Sequence, residues 1–151
     1  MGGPKPIAYT PFGELVVLVF FGLTAVCGTY FLQTGCISIN ACLLGLALGS
    51  IASGVLAVNN FRDYEHDASI GRNTLAVVIG KPGFLKLFHC LMLVPYAALV
   101  TMGVNSASHW PILIAFATLP LAVSIAKNLA QKEHEALNAV MFGCVKLEGI
   151  F

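Results

Sequence analysis

NNFRDYEHDASIGRNTL, residues 59–75, is a polar island in an apolar chain. It holds three of the seven acidic residues, Asp63, Glu65 and Asp67, together with Arg62, Arg72 and His66. Upstream, INACLLGLALGSIASGVLAV (39–58) carries no charge. Downstream, FLKLFHCLMLVPYAALVTMG (84–103) carries only Lys86. A polar cluster between apolar runs of about 20 residues is a loop joining membrane spans, a site, or both.

Composition supports the membrane reading. The 151 residues are 58% hydrophobic and 10% charged, with mean hydropathy +0.85. Soluble domains carry about 25% charged residues, so this chain cannot cover a water-facing surface. Its apolar runs do not alternate with polar residues, which favours helical spans over a barrel. The expected fold is therefore an all-α integral membrane protein, residues 1–151 forming one domain. Four complete spans are predicted at 12–32, 39–58, 84–103 and 110–128, with the start of a fifth at 137–151. The last is too short to cross, so the chain reads as truncated. No basic stripe marks a nucleic-acid binder, and the N-terminus lacks the apolar core of a signal peptide. The five cysteines form no CxxC pair and read as small hydrophobes.

Within the spans, Ala41, Gly45, Gly49, Ser53 and Ala57 recur every four residues. Such a stripe lets helices approach closely in lipid. Glu14, in the first turn of span one, suits the helix dipole. Pro95 is expected to kink span three, Pro120 lies in mid-span, Trp110 marks an interface, and His89 reads as a packing residue. Lys146 and Glu148 are either interfacial or functional.

The charges set the topology. Lys5, Arg62, Arg72, Lys81, Lys86, Lys127 and Lys132, seven of the eight basic residues, fall on the side of the island. The links 33–38 and 104–109 on the other side have none. The positive-inside rule then puts the island on the cytoplasmic face of the cell membrane.

Asp63 and Asp67 are four residues apart, and Asn59 stands one turn earlier. If span two continues as a helix, the three share one edge. Hard cations such as Mg²⁺ take oxygen ligands, often one or two carboxylates plus phosphate oxygens. Asp63 and Asp67 are thus the candidate metal ligands and catalytic residues. Arg62 and Arg72 suit bidentate phosphate contacts, and Asn59 and Asn60 complete the candidate diphosphate set. A bare DxxxD pair also occurs on solvated loops. Asn59-Asn60, Arg62 and Gly71-x-x-Thr74-Leu75 weigh against that reading, while Glu65 and His66 face away and are expected in solvent.

NNFRDYEHDASIGRNTLAVVIG resembles the second aspartate-rich motif of the UbiA superfamily of membrane aromatic prenyltransferases. Within it, the pattern NNxRDxxxDxxxGxxTLA is similar to that of the enzymes acting on 1,4-dihydroxy-2-naphthoate in menaquinone biosynthesis. GGPKPIAY with GELVVLVFFGLTAVCGTYFLQTG resembles that family's fifth helix and its lead-in. The resemblance implies a nine-helix bundle in which spans one to four are helices five to eight. It implies Mg²⁺-dependent transfer of a polyprenyl group from polyprenyl diphosphate to 1,4-dihydroxy-2-naphthoate, with loss of CO₂ and diphosphate, giving demethylmenaquinone. It also implies a first motif of NDxxDxxxxxD type, which is nowhere in this sequence. Asp63 and Asp67 would be half of the metal site, the other half lying on N-terminal helices, and the chain alone would be inactive. Phe61 and Tyr64 would pack at the interface or shield the reacting cation. The alternatives are another aromatic prenyltransferase of this type and a non-catalytic membrane half-fold. A CDP-alcohol phosphotransferase would need a DGxxAR segment, which is missing.

Overall fold

The computed structural model describes residues 6–105, 107–132 and 136–151, with side chains for all of these except 105 and 107–111. Lys5, the side chain of Trp110 and residues 133–135 lie outside the described residues. Among the described residues every regular element is helical. Four helical stretches are long and apolar enough to cross a membrane: Gly13–Thr34, Ile39–Arg62, Leu75–Val104 and Ile112–Gln131.

The first stretch consists of α1 (Gly13–Val17), a π-helical turn (Leu18–Thr24) and α2 (Ala25–Thr34). It stops at Gly35, whose φ of 72° is the left-handed cap that glycine adopts without a Cβ penalty. The Ser38 side chain then accepts from the Ala41 amide, capping α3 (Ile39–Arg62). These two caps confine the link between spans to a few residues.

Helix α3 is the centre of the bundle, and the small-residue stripe explains why. Ala41, Gly45, Gly49, Ser53 and Ala57 are all buried. A Cβ added at Gly49 would sit 2.5 Å from the Leu18 carbonyl oxygen and 2.9 Å from Gly22 Cα. The π turn thus lies against α3 backbone to backbone, as small residues in lipid permit. On another face, a Cβ at Gly54 would meet Met92 and Cys144. Helix α3 therefore also packs on α5 (Leu75–Asn105) and α7 (Leu137–Ile150).

The helix boundaries differ from the sequence expectation around the island. Residues 59–75 are mostly helix rather than loop: α3 runs to Arg62, and α4 (Tyr64–Ser69) follows after one non-helical residue, Asp63. Helix α5 starts at Leu75 and is interrupted at Gly80, where φ is 71° and ψ 161°. Only glycine adopts that conformation readily. Pro82 then falls in the first turn of the long segment, where its missing N–H costs nothing. Helical dihedrals continue through Pro95, and the non-helical residue of α5 is Gly80. A 3₁₀ stretch, Ala107–Thr118, leads into α6 (Leu119–Gln131), so that Pro120, near the middle of the Ile112–Gln131 span as expected, falls in the first turn of α6. Thr118, the last residue of that stretch, is held by a hydrogen bond between its hydroxyl and that of Tyr96, 2.9 Å. Cys144 is buried, but Cys36 and Cys90 are exposed.

Candidate functional site

The island closes one end of the bundle. The Asp63 amide donates to the Asn59 carbonyl at 3.0 Å, and the Asp67 amide to the Asp63 carbonyl at 2.8 Å. The four-residue spacing of a helix therefore survives the break at Asp63. The main chain thus keeps Asn59, Asp63 and Asp67 along one edge, while their side chains divide between Arg62 and Arg72.

Two ion-pair networks are built on that edge. Arg62 grips Asp63 with both ends of its guanidinium, Nε to Oδ1 at 2.9 Å and Nη2 to Oδ2 at 3.1 Å. The same guanidinium donates to Asn59 Oδ1 and to Asn138 Oδ1, both at 2.7 Å. It thereby joins the end of α3 to the start of α7. The Arg62 hydrogen bonds and charge hold the Asp63 carboxyl below the usual carboxylate range, against a smaller opposing effect of burial.

Asp67 is 1% exposed. Its Oδ1 accepts from Arg72 Nη1 at 2.8 Å. Its Oδ2 is buried with no hydrogen-bond partner. Arg72 also donates to the Ala8 carbonyl, 3.0 Å from Nη2, and lies over the Tyr9 ring at 5.2 Å. The turn that brings Arg72 back to Asp67 requires Gly71, whose φ is 73°.

Asn60 faces another way. It is 7% exposed, and its Nδ2 donates to Glu14 Oε1 at 2.9 Å. Glu14 itself is buried, its Oε2 without a partner. Glu65 and His66 are exposed, and Glu65 pairs with Lys81 at 3.0 Å. Phe61 stacks on Phe84 at 6.0 Å, while Tyr64 lies under the Lys81 ammonium. Lys146 is exposed and Glu148 half-buried on α7.

The structure thus brings together Asn59, Arg62 and Asp63, and separately Asp67 and Arg72. Both arginines are held by the chain's own carboxylates. Two partners were not foreseen. Glu14 suits its own helix dipole, but a lone carboxylate in a span also calls for a partner. Asn138 carried no sequence signal.

Among the described residues no three or more His, Cys, Asp or Glu side chains converge on one point. The residues offer a hard cation two carboxylates and the Asn59 amide oxygen. One of those oxygens, Asp67 Oδ2, is buried and unpartnered. This set suits an ion that takes one or two carboxylates and fills its shell with phosphate and water, as Mg²⁺ does. It does not make a self-contained cage.

Residues 6–148 match the model of the UbiA prenyltransferase family. The 1,4-dihydroxy-2-naphthoate octaprenyltransferase of Haemophilus influenzae is 41% identical over 120 residues, 79% of this chain and 39% of the relative. That of Bacillus subtilis is 33% identical over 132 residues, 87% of this chain and 42% of the relative. That of Mycobacterium tuberculosis is 36% identical over 125 residues, 83% and 42%. This chain therefore spans about two fifths of the relatives it matches. No solved structure matches it.

Proposed function

Because this chain belongs to the UbiA prenyltransferase family, we propose that it contributes the second aspartate-rich site of an enzyme that prenylates 1,4-dihydroxy-2-naphthoate. The reading rests on one observation above the others. An oxygen-rich edge, Asn59–Asp63–Asp67, stands with two guanidiniums at the end of an apolar helix bundle. The names of the relatives supply the substrate class.

In the proposed reaction the allylic C–O bond of the polyprenyl diphosphate breaks, and its electron pair leaves with diphosphate. A new C–C bond forms at the ring carbon bearing the carboxylate, which departs as CO₂ and leaves its bonding pair in the ring. The product is the hydroquinone, demethylmenaquinol, whose later two-electron oxidation, outside this reaction, gives demethylmenaquinone. Asp63 and Asp67 would hold magnesium, which when bound supplies Lewis-acid neutralisation of the leaving group. Arg62 and Arg72 have the planar fork that binds phosphate oxygens in pairs. Asn59 belongs to the same shell, whereas the Asn60 side chain is turned away from it onto Glu14. The apolar helices would seat the tail and keep water from the reacting carbon.

The first aspartate-rich motif would come from N-terminal helices outside this sequence, in line with the length of the relatives and the lack of an NDxxD segment here. The island would face the cytoplasm, as the distribution of basic residues favours.

The test is a Mg²⁺-dependent assay in proteoliposomes with a polyprenyl diphosphate and 1,4-dihydroxy-2-naphthoate. The chain is assayed alone and co-expressed with the N-terminal helices of a full-length relative. Demethylmenaquinol, recovered as demethylmenaquinone after oxidation in air, is expected only from the combination. Asp63→Asn and Asp67→Asn are each expected to lower turnover at least about 100-fold, the scale of losing one preorganised electrostatic contact. Normal turnover in both variants would refute the metal role. No product from a correctly assembled combination would favour a non-catalytic half-fold.

A further inference from the structure

Away from the island, α5 and α6 enclose a cleft of about 150 Å³. Its floor is Met92, Ala122 and Ala126, all buried. Leu93 and Val123 form an exposed apolar rim. The four-residue spacing of Ala122 and Ala126 makes the trough, since two small side chains on one face leave room along the helix. Among the described residues, polar groups line it only at His89 and Lys127.

Those two groups mark one depth in the membrane. Lys127 lies one turn before α6 ends at Gln131. His89 lies about two turns beyond Lys81, which pairs with Glu65 of the island. Both are therefore near the end of the bundle that carries the island. Lys86, also exposed, is one turn nearer that end on the face of His89. His89 Nδ1 is 2.6 Å from the Leu85 carbonyl oxygen, so Nδ1 carries the proton and Nε2 remains for another partner. Among the described residues no carboxylate lines the cleft or pairs with Lys127.

A lysine beside hydrocarbon is costly unless its ammonium reaches the headgroup layer or meets an anion there. An apolar trough with a cationic mouth at headgroup depth complements an amphiphile with one negative head and a hydrocarbon tail. Basic pockets between helices on the cytoplasmic side bind anionic lipid heads in this way. We propose that this cleft is a binding site for one anionic glycerophospholipid. The phosphate lies against Lys127, with Lys86 and His89 beside it, and an acyl chain follows Met92 and Ala122. This site is separate from Asp63 and Asp67 and does not depend on the prenyl-transfer reading.

Native mass spectrometry of the purified chain tests the proposal. Dioleoyl phosphatidylglycerol and dioleoyl phosphatidylcholine are offered at equal concentration. One phosphatidylglycerol per chain is expected, retained about fivefold over phosphatidylcholine, and Lys127→Gln is expected to remove about that preference, the effect of one basic residue near an anionic surface. Val123→Trp, on the exposed rim, is expected to reduce retention of both lipids. Circular dichroism and a monodisperse elution profile check that each variant is folded. Equal retention of the two lipids, or an unchanged preference in Lys127→Gln, would overturn the proposal. Displacement of phosphatidylglycerol by farnesyl diphosphate that Lys127→Gln suppresses would also overturn it, reassigning the cleft to a prenyl diphosphate.

Discussion

Asp67 is held by a single guanidinium and is otherwise out of reach of water. Arg72→Ala would strand that carboxylate, and removing one partner of a buried pair costs about 3 kcal/mol or more. A clear fall in the unfolding midpoint in detergent is expected, largely recovered when Asp67→Asn is added. No recovery would mean that the Arg72 bond to Ala8, not the ion pair, is what stabilises the turn. Glu14 and Asn60 make a second residue-scale case. Glu14→Leu leaves the buried Asn60 amide without its acceptor, a loss of about 1–3 kcal/mol. Glu14→Gln, which keeps an acceptor oxygen, is expected to lose less in the same melt. The residue types of the site were legible in the sequence because DxxxD spacing survives any helical geometry. Their partners were not. Arg62 meets Asn138 across 76 residues and Asn60 meets Glu14 across 46, and no local pattern encodes such pairings.

The contact between α3 and the π turn makes its prediction at the scale of elements. Gly22 and Gly49 meet backbone to backbone, so a methyl group at either collides with main chain that cannot rotate away. Gly49→Ala is expected to cost about 1–3 kcal/mol, the usual penalty for overpacking. Gly28→Ala, where the added carbon meets nothing within 4 Å, is expected to be neutral or stabilising. Comparing the two melts separates close packing from helix propensity. If both substitutions were neutral, the helices would not be in the contact described. The stripe on α3 announced this packing, because small side chains every four residues clear one helix face for a neighbour's backbone. The π turn opposite it had no such signal, since Leu18–Thr24 has an ordinary apolar composition. The break at Gly80 was half legible. Gly80-Lys81-Pro82-Gly83 carries the glycine and proline signals of a break, but which of the four residues leaves the helical conformation, Gly80, is set by the fold.

For the whole molecule, the pairing of Arg72 with Ala8, Asn60 with Glu14 and Arg62 with Asn138 gathers the start of the first span, the island and the start of α7 at one end. Alternation of the spans puts Cys36 at the other end, exposed. In intact cells, a membrane-impermeant maleimide is expected to label Cys36. Ser69→Cys, tested with Cys36→Ser, is expected to react only after the membrane is opened. The reverse pattern would invert the proposed orientation. Span number and placement were legible in the hydropathy and charge pattern, because lipid tolerates few alternatives to an apolar helix. In the island each carboxylate has its own counter-charge: Asp63 with Arg62, Asp67 with Arg72 and Glu65 with Lys81. A cation drawn to the aspartates releases guanidiniums, and a phosphate drawn to the guanidiniums releases aspartates. Under the proposed function, each ligand then prepares the other's place, and thermodynamic linkage makes the benefit equal in both directions. In the assembled enzyme, magnesium titrated with and without a prenyl diphosphate, and the diphosphate with and without magnesium, should tighten by the same factor. Two independent affinities would show that the ion pairs need not open at all.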